Sequence, residues 1–301
     1  MSERVAVVDL GSNSTRLLIA DIGEDGAITE LERRSVVTRL AQEVDTTGRL
    51  ADEAMQRVYG VLADYRTAID ALGADHAIGV LTSAVRDAAN GEEFTDAVGT
   101  RFGIAARTIA GEEEARLTYR GATSERPDGG PLAVVDIGGG STEIVVGERA
   151  QLRFHVSTQV GVVRHSERHL HDDPPAPGQV RALREDVAAT FAQHVPPELG
   201  AVAAVAVGGT ALQAAAMMRL DHLPADGLEQ LLERLAAVPL EERARTPGLD
   251  PTRAPTIVAG VAILVETLAA LRLDVAEPSD HDILRGAALE RTAFTGTHPQ
   301  F

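Results

Sequence analysis

The chain has 301 residues and a formal net charge of -17, long enough for two domains of ordinary size. It has no cysteine, which excludes disulfides, cysteine-bound metal and a thiolate nucleophile, and all 28 of its Lys+Arg cations are arginine, which excludes a P-loop lysine and a Schiff-base lysine. With 3% aromatics and no Trp the core must be aliphatic, and the acidic balance lacks the basic footprint of a nucleic-acid binder.

Arg4–Leu10 is an apolar run ending at Gly11 and predicts a buried strand. Thr15–Ile22 and Ala27–Arg34 predict the next two strands of a meander. Over Ala51–Leu72, Met55, Val58, Leu62, Tyr65 and Ile69 recur every three or four residues and predict a helix. His76–Leu81 reads as a strand, Asn90–Phe102 as a helix, Ala105–Ile109 as a strand and Gly111–Gly121 as a helix. Thr123–Pro131 is rich in turn residues and predicts the linker, so domains are expected at 1–124 and 125–301.

Past the linker the opening repeats. Leu132–Ile137 is a strand, a Gly-rich turn leads into a second strand through Val146, and Leu152–Ser157 predicts a third. Asp172–Gly178 reads as a loop, Val180–His194 as a helix and Ala201–Val207 as a strand, with mostly helices beyond. Ala254–Leu273 is the longest apolar stretch, but Glu266 interrupts it, so it reads as a buried core helix rather than a membrane span. With no leader at the N-terminus, a cytoplasmic protein without a membrane partner is expected.

The repeat aligns Asp9-Leu10-Gly11-Ser12-Asn13-Ser14-Thr15 with Asp136-Ile137-Gly138-Gly139-Gly140-Ser141-Thr142 without a gap. Each copy lies between two apolar strands. Tight turns of this kind offer backbone N–H groups and hydroxyls to an anion, and glycine admits φ > 0 and close approach. Gly11, Ser12, Asn13 and Ser14, with Gly138, Gly139, Gly140 and Ser141, are therefore candidate phosphate-binding residues. A carboxylate beside such a cradle makes sense if it holds a divalent cation or orients water, which singles out Asp9 and Asp136. Glu143 lies two residues beyond Ser141, on the same strand face, and joins them as a metal or water-positioning candidate. A strand, not a helix, follows each turn, so this is no dinucleotide fingerprint.

Facing hairpins of this type resemble the phosphate turns of the actin-like ATPase superfamily. Val207-Gly208-Gly209-Thr210 resembles that superfamily's adenosine-side turn, and reads equally as a strand-to-helix turn that needs glycine. Further segments narrow the resemblance: Thr82-Ser83-Ala84-Val85-Arg86-Asp87-Ala88, Gly111-Glu112-Glu113-Glu114-Ala115, Asp136 through Glu143, Gly161-Val162-Val163-Arg164 and Leu284-Arg285-Gly286. Together with Asp9–Ser14 they resemble the exopolyphosphatase/guanosine pentaphosphate phosphohydrolase (Ppx/GppA) family over nearly the whole chain, in its short two-domain form. The absence of lysine also resembles the usage of high-GC actinobacterial genomes.

The resemblance implies an α/β fold of two duplicated ribonuclease-H-like domains with an interdomain cleft. It implies a phosphoanhydride hydrolase that uses Mg²⁺ (or Mn²⁺) on inorganic polyphosphate, and a homodimer. It assigns the catalytic base to Glu114, with Glu143 as a second catalytic candidate, and it places Arg86 on phosphate. Glu112 and Glu113 read as ordinary acids in a helix's first turn. Arg164, Arg253 and Arg285 are weaker candidates for contacts along a chain-like substrate; Pro255 departs from the family's Arg-Ala-Asp pattern after Arg253.

His165, His169 and His171 have spacings that permit two imidazoles on one metal. Arg164 and Arg168 interleave them and no carboxylate–His motif surrounds them, so a solvated helix face is the preferred reading. Within the family, hydrolysis of guanosine pentaphosphate to tetraphosphate is the open alternative, disfavoured by the scarcity of aromatics for stacking a base. An ATP-dependent kinase and a non-catalytic polyphosphate or alarmone sensor are the rivals from other classes.

Overall fold

The computed structural model describes residues 2–127, 129–148 and 151–295. The first unit contains β1 (Glu3–Leu10), β2 (Ser14–Ile22), β3 (Ile28–Val37), β4 (His76–Leu81) and β5 (Ala105–Thr108), in the order β3-β2-β1-β4-β5. β1, β2 and β3 pair antiparallel as a meander, and β4 and β5 continue the sheet parallel to β1. Its helices of five or more residues, before the chain leaves the unit, are α1 (Asp52–Leu72), α2 (Ser83–Asp87), α3 (Gly91–Phe102) and α4 (Gly111–Thr123). The core strands β1 and β4 carry Val5, Val7, Val8, Ile78 and Val80, none exposed, as continuous β-branched runs of a doubly covered sheet should.

The second unit contains β6 (Leu132–Ile137), β7 (Thr142–Glu148), β8 (Gln151–Thr158), α5 (Val162–His169), α6 (Pro177–His194), β9 (Ala203–Val207), α7 (Gly208–Met218), β10 (Leu223–Pro224), α8 (Ala225–Ala236), α9 (Ile257–Leu271) and β11 (Val275–Ser279). Its sheet order is β10-β11-β9-β6-β7-β8. Read from the β8 edge this is β8-β7-β6-β9-β11, the order and sense of the first sheet, with β10 added at the rim. Each unit thus has the ribonuclease-H-like arrangement, an antiparallel meander of three strands extended by two parallel ones.

α9 is the apolar stretch, buried along almost its whole length, and no helix among the described residues is long and apolar enough to cross a membrane. Its single acid, Glu266, accepts from Arg184 Nε of α6 at 2.6 Å. β11 escapes a hydropathy reading because Val275–Ser279 carries Glu277 and Pro278, and proline is tolerated only where a strand lacks a full ladder. Of the expected linker Thr123–Pro131, Thr123 ends α4, and Asp128 lies outside the described residues.

The chain does not end in the second unit. That unit closes at Asp282, and from Ile283 the chain returns to the first, which corrects the expected continuous domain 125–301. The reason is the apolar face of α10 (Ile283–Leu289): Ile283, Leu284, Ala287 and Ala288 share one core with Val5, Val7, Leu18, Ile78, Val80 and Leu117. A Cβ at Gly286 would lie 1.9 Å from the carbonyl oxygen of Leu117, so glycine is what lets α10 cross α4 this closely. Arg116 and Arg120 of α4 then both pair with Glu290 just past α10.

Candidate active site

The two Gly turns have the same closure. Gly11 N donates to Ser14 O at 3.0 Å and Gly138 N to Ser141 O at 2.9 Å. Neither glycine has positive φ; what each needs is room, because a Cβ would lie 3.0 Å from Ser14 O and 3.1 Å from Ser141 O respectively. The segment after each third strand is tied back over its turn. Thr38 N and Arg39 N donate to Asn13 O in the first, and Val162 N and Val163 N donate to Gly138 O and Gly139 O in the second. Thr15 and Thr142, both fully buried, hold those segments through Thr38 Oγ1 at 3.0 Å and Val160 O at 2.6 Å. Ser12, Asn13, Ser14 and Ser141 are all buried at the turns. The amide oxygen of Asn13 has no hydrogen-bond partner among the described residues.

In the first unit, Ser12 Oγ accepts from Ala84 N at 3.0 Å, which fixes α2 against the turn. That contact was not expected, because seventy-two residues separate the pair. α2 carries Arg86, whose Nη1 donates to Ile109 O at 3.0 Å and to Glu114 Oε2 at 3.1 Å. Arg86 and Glu114 are thus brought together, with Glu114 7% exposed. Its neighbours behave differently: Glu112 is exposed, and Glu113 makes a two-pronged pair with Arg107, 2.7 Å on each side. Asp9, at the end of β1, accepts from Arg16 Nε at 2.8 Å and from Nη2 at 2.6 Å through one oxygen, Oδ2.

In the second unit the cross-strand position of Arg16 is held by an acid. Asp136 is the register partner of Glu143 as Asp9 is of Arg16, and register partners point to one face of a sheet. Glu143 is 1% exposed, so it is no exposed strand residue, and its Oε1 accepts from Ser157 Oγ at 2.7 Å. Gly208 sits beside Asp136 at φ 83, where a Cβ would lie 2.9 Å from Asp136 Oδ1. Val207-Gly208-Gly209-Thr210 is a strand-to-helix turn opening α7, and the bare face of Gly209 is covered by the Arg253 guanidinium. Arg164 Nε donates to Gly140 O at 3.0 Å, placing it at the second turn. Gly161 is bare for the same turn, since its Cβ would lie 2.4 Å from Gly139 O.

Two buried carboxylates on facing register positions are hard oxygen donors of the type that suits Mg²⁺ or Mn²⁺, so the residues present fit such an ion. Arg285 is buried in α10 and donates to Ser124 Oγ at 2.9 Å, with Arg33 and Glu30 of β3 acting on it electrostatically. Of the three histidines only His171, beyond the end of α5, is exposed; His165 and His169 are not a solvated face. His165 is 1% exposed, and Asp186 of α6 supplies the carboxylate that their local sequence lacks.

The sequence profile described as the Ppx/GppA phosphatase family matches residues 18–287. The chain is 39% identical to Exopolyphosphatase 2 of Mycobacterium tuberculosis, over 95% of this chain and 98% of that relative. Among solved structures it is similar to an exopolyphosphatase-like protein, at TM-score 0.89 and 32% identity over 96% of this chain and 98% of that one. It is also similar to the Aquifex aeolicus member of the Ppx/GppA family, at TM-score 0.79 and 30% identity over 99% and 100% of the two chains.

Proposed function

The chain belongs to the Ppx/GppA phosphatase family, and we propose that it is an exopolyphosphatase, hydrolysing the terminal phosphoanhydride of inorganic polyphosphate and releasing phosphate. The observation that carries this reading is the 3.1 Å pairing of Arg86 with Glu114, on a helix that Ser12 anchors to a phosphate-type turn. Water attacks the terminal phosphorus, Glu114 takes its proton, and the phosphoanhydride bond to the remaining chain breaks. Arg86, with a planar fork of donors, binds phosphoryl oxygens as Glu114 receives the proton. The hydroxyls and N–H groups of the turns orient the polyanion.

Asp136 and Glu143 would hold the divalent cation, Mg²⁺ or Mn²⁺, which when bound neutralises charge on phosphoryl oxygens. Asp9 is the less suitable ligand, because Arg16 already occupies its Oδ2. With a net charge of -17, long-range steering of a polyanion is repulsive, so binding rests on local donors and the cation.

Polyphosphate is favoured over a nucleotide end by the fate of the aromatics. Tyr59, Tyr65, Tyr119, Phe94, Phe102 and Phe191 are buried and Phe154 and Phe294 half-buried, so no aromatic among the described residues is an exposed platform for a base. The test is phosphate release from polyphosphates of defined length beside guanosine pentaphosphate, with and without a phosphoryl acceptor. Release from polyphosphate to water is expected. Turnover of the nucleotide alone, or transfer only to an acceptor, would overturn the reading.

A further inference from the structure

A cluster of ligand-type side chains lies outside this chemistry. His165 and His169 occupy one face of α5, their ring centroids 5.8 Å apart, and Asp186 approaches them from α6. Asp186 Oδ2 is 2.9 Å from His169 Nε2 and 3.6 Å from His165 Nε2, and the three donor atoms all lie within 4.8 Å of one another. Tetrahedral Zn²⁺ with bonds near 2.0–2.2 Å separates neighbouring ligand atoms by about 3.3 Å. The two observed separations bracket that value.

The second observation is the state of His165. Its side chain is 1% exposed, yet Nε2 has no hydrogen-bond partner among the described residues. A buried polar atom without a partner is costly. Nδ1 lies 3.2 Å from the carbonyl oxygen of Gly161 and 3.3 Å from its N–H, so the ring donates or accepts there according to its tautomer. In the tautomer that donates from Nδ1 to the carbonyl, the Nε2 lone pair is left for a metal, the usual outer support of a ligating histidine.

We propose that His165, His169 and Asp186 form a binding site for a borderline divalent transition-metal ion, Zn²⁺ in the first instance, with solvent in the fourth position. Two imidazoles and one carboxylate select such an ion over Mg²⁺. The site would staple α5 to α6. Because Val162 N and Val163 N at the start of α5 hold the carbonyls of Gly138 and Gly139, the staple would also steady the second phosphate turn. Arg168 Nη1, 3.2 Å from Asp186 Oδ2, competes for the same oxygen, and its side chain is 42% exposed, with solvent to swing into.

The experiment titrates Zn²⁺ alone into the metal-stripped full chain, by calorimetry in excess Mg²⁺, and repeats the titration with Co²⁺ read by its visible spectrum. One ion per chain is expected, with the absorption of a four-coordinate site. His169→Ala and Asp186→Asn should each bind Zn²⁺ at least about 100-fold more weakly, beyond the range seen for loss of an outer-shell partner. His171→Ala, which alters an exposed neighbour, should bind as the parent does. Arg168→Ala should bind more tightly, an effect a purely structural ion pair does not produce. The proposal is overturned if the parent takes up no Zn²⁺ more tightly than His169→Ala, or if Arg168→Ala and His171→Ala weaken binding as much as the ligand variants.

Discussion

Arg86 Nη1 donates at once to Glu114 Oε2 at 3.1 Å and to the Ile109 carbonyl at 3.0 Å, tying α2 to the start of α4 through one nitrogen. In the resting protein the proposed phosphate clamp and the proposed base therefore neutralise each other. On the proposed reading, substrate phosphate would compete with Glu114 for the guanidinium, linking binding to release of the base.

Glu114→Gln keeps the shape of the side chain and removes the ability to accept a proton. Turnover should fall by about 10²–10⁴-fold with little change in polyphosphate affinity. Glu112→Gln, at an exposed position of the same helix turn, should keep parental turnover. Glu113→Gln should cost stability instead, since it dismantles the Arg107 pair. Steady-state phosphate release beside urea unfolding separates these outcomes, and near-parental turnover in Glu114→Gln would move the base elsewhere.

Arg86→Lys preserves charge but cannot serve Ile109, Glu114 and a phosphoryl group with one ammonium. A loss of about 10²-fold in kcat is expected, the scale of a misplaced reacting group. The double variant Arg86→Lys/Glu114→Gln should lose less than the product of the single losses, because touching residues are not additive. Multiplicative losses would mean that the pair acts as two separate groups.

Removal of divalent metal by a chelator should abolish turnover, and Mg²⁺ or Mn²⁺ should restore it. Glu143→Gln should raise the Mg²⁺ concentration for half-maximal activity by about 10–100-fold. Ser157→Ala, which removes the hydroxyl bonded to Glu143 Oε1, should do so more weakly. An unchanged metal requirement in Glu143→Gln would remove that residue from the cation's ligands.

Arg16→Ala leaves Asp9, 2% exposed, without its guanidinium. Breaking a buried pair from one side costs about 3 kcal/mol, because the other charge stays buried. Urea unfolding should show that loss, and Asp9→Asn in the same chain should recover part of it. No destabilisation would mean that Asp9 is neutral or hydrated in the folded state.

Glu290 is partly buried, which raises its pKa, but hydrogen bonds from Arg116 and then Arg120 outweigh that and hold it below the ordinary carboxylate value of 4.5. A depressed folded-state pKa adds stability above the unfolded value and loses it as pH falls through the folded one. The stability difference between the parent and Glu290→Gln should thus be full near neutral pH and shrink below about pH 4.5. A difference that stays constant across that range would show that the pair does not titrate with folding.

The periodicity of strands and helices, the two glycine turns and their repetition were legible in the sequence, because each depends on residues within a few positions of one another. Gly11 and Gly138 could be read as turn residues, although what they supply is clearance for a carbonyl rather than left-handed backbone. Tertiary structure alone decided which distant partners meet. Arg86 finds Glu114 across 28 positions through the β4–β5 crossover, and His169 finds Asp186 across 17 because α6 packs back against α5 after a loop. The return of α10 to the first sheet was decided the same way. The stripe Ile283, Leu284, Ala287 and Ala288 states that a face must be buried; only the clearance at Gly286 and the shape of the β1–β4 core select the sheet that buries it.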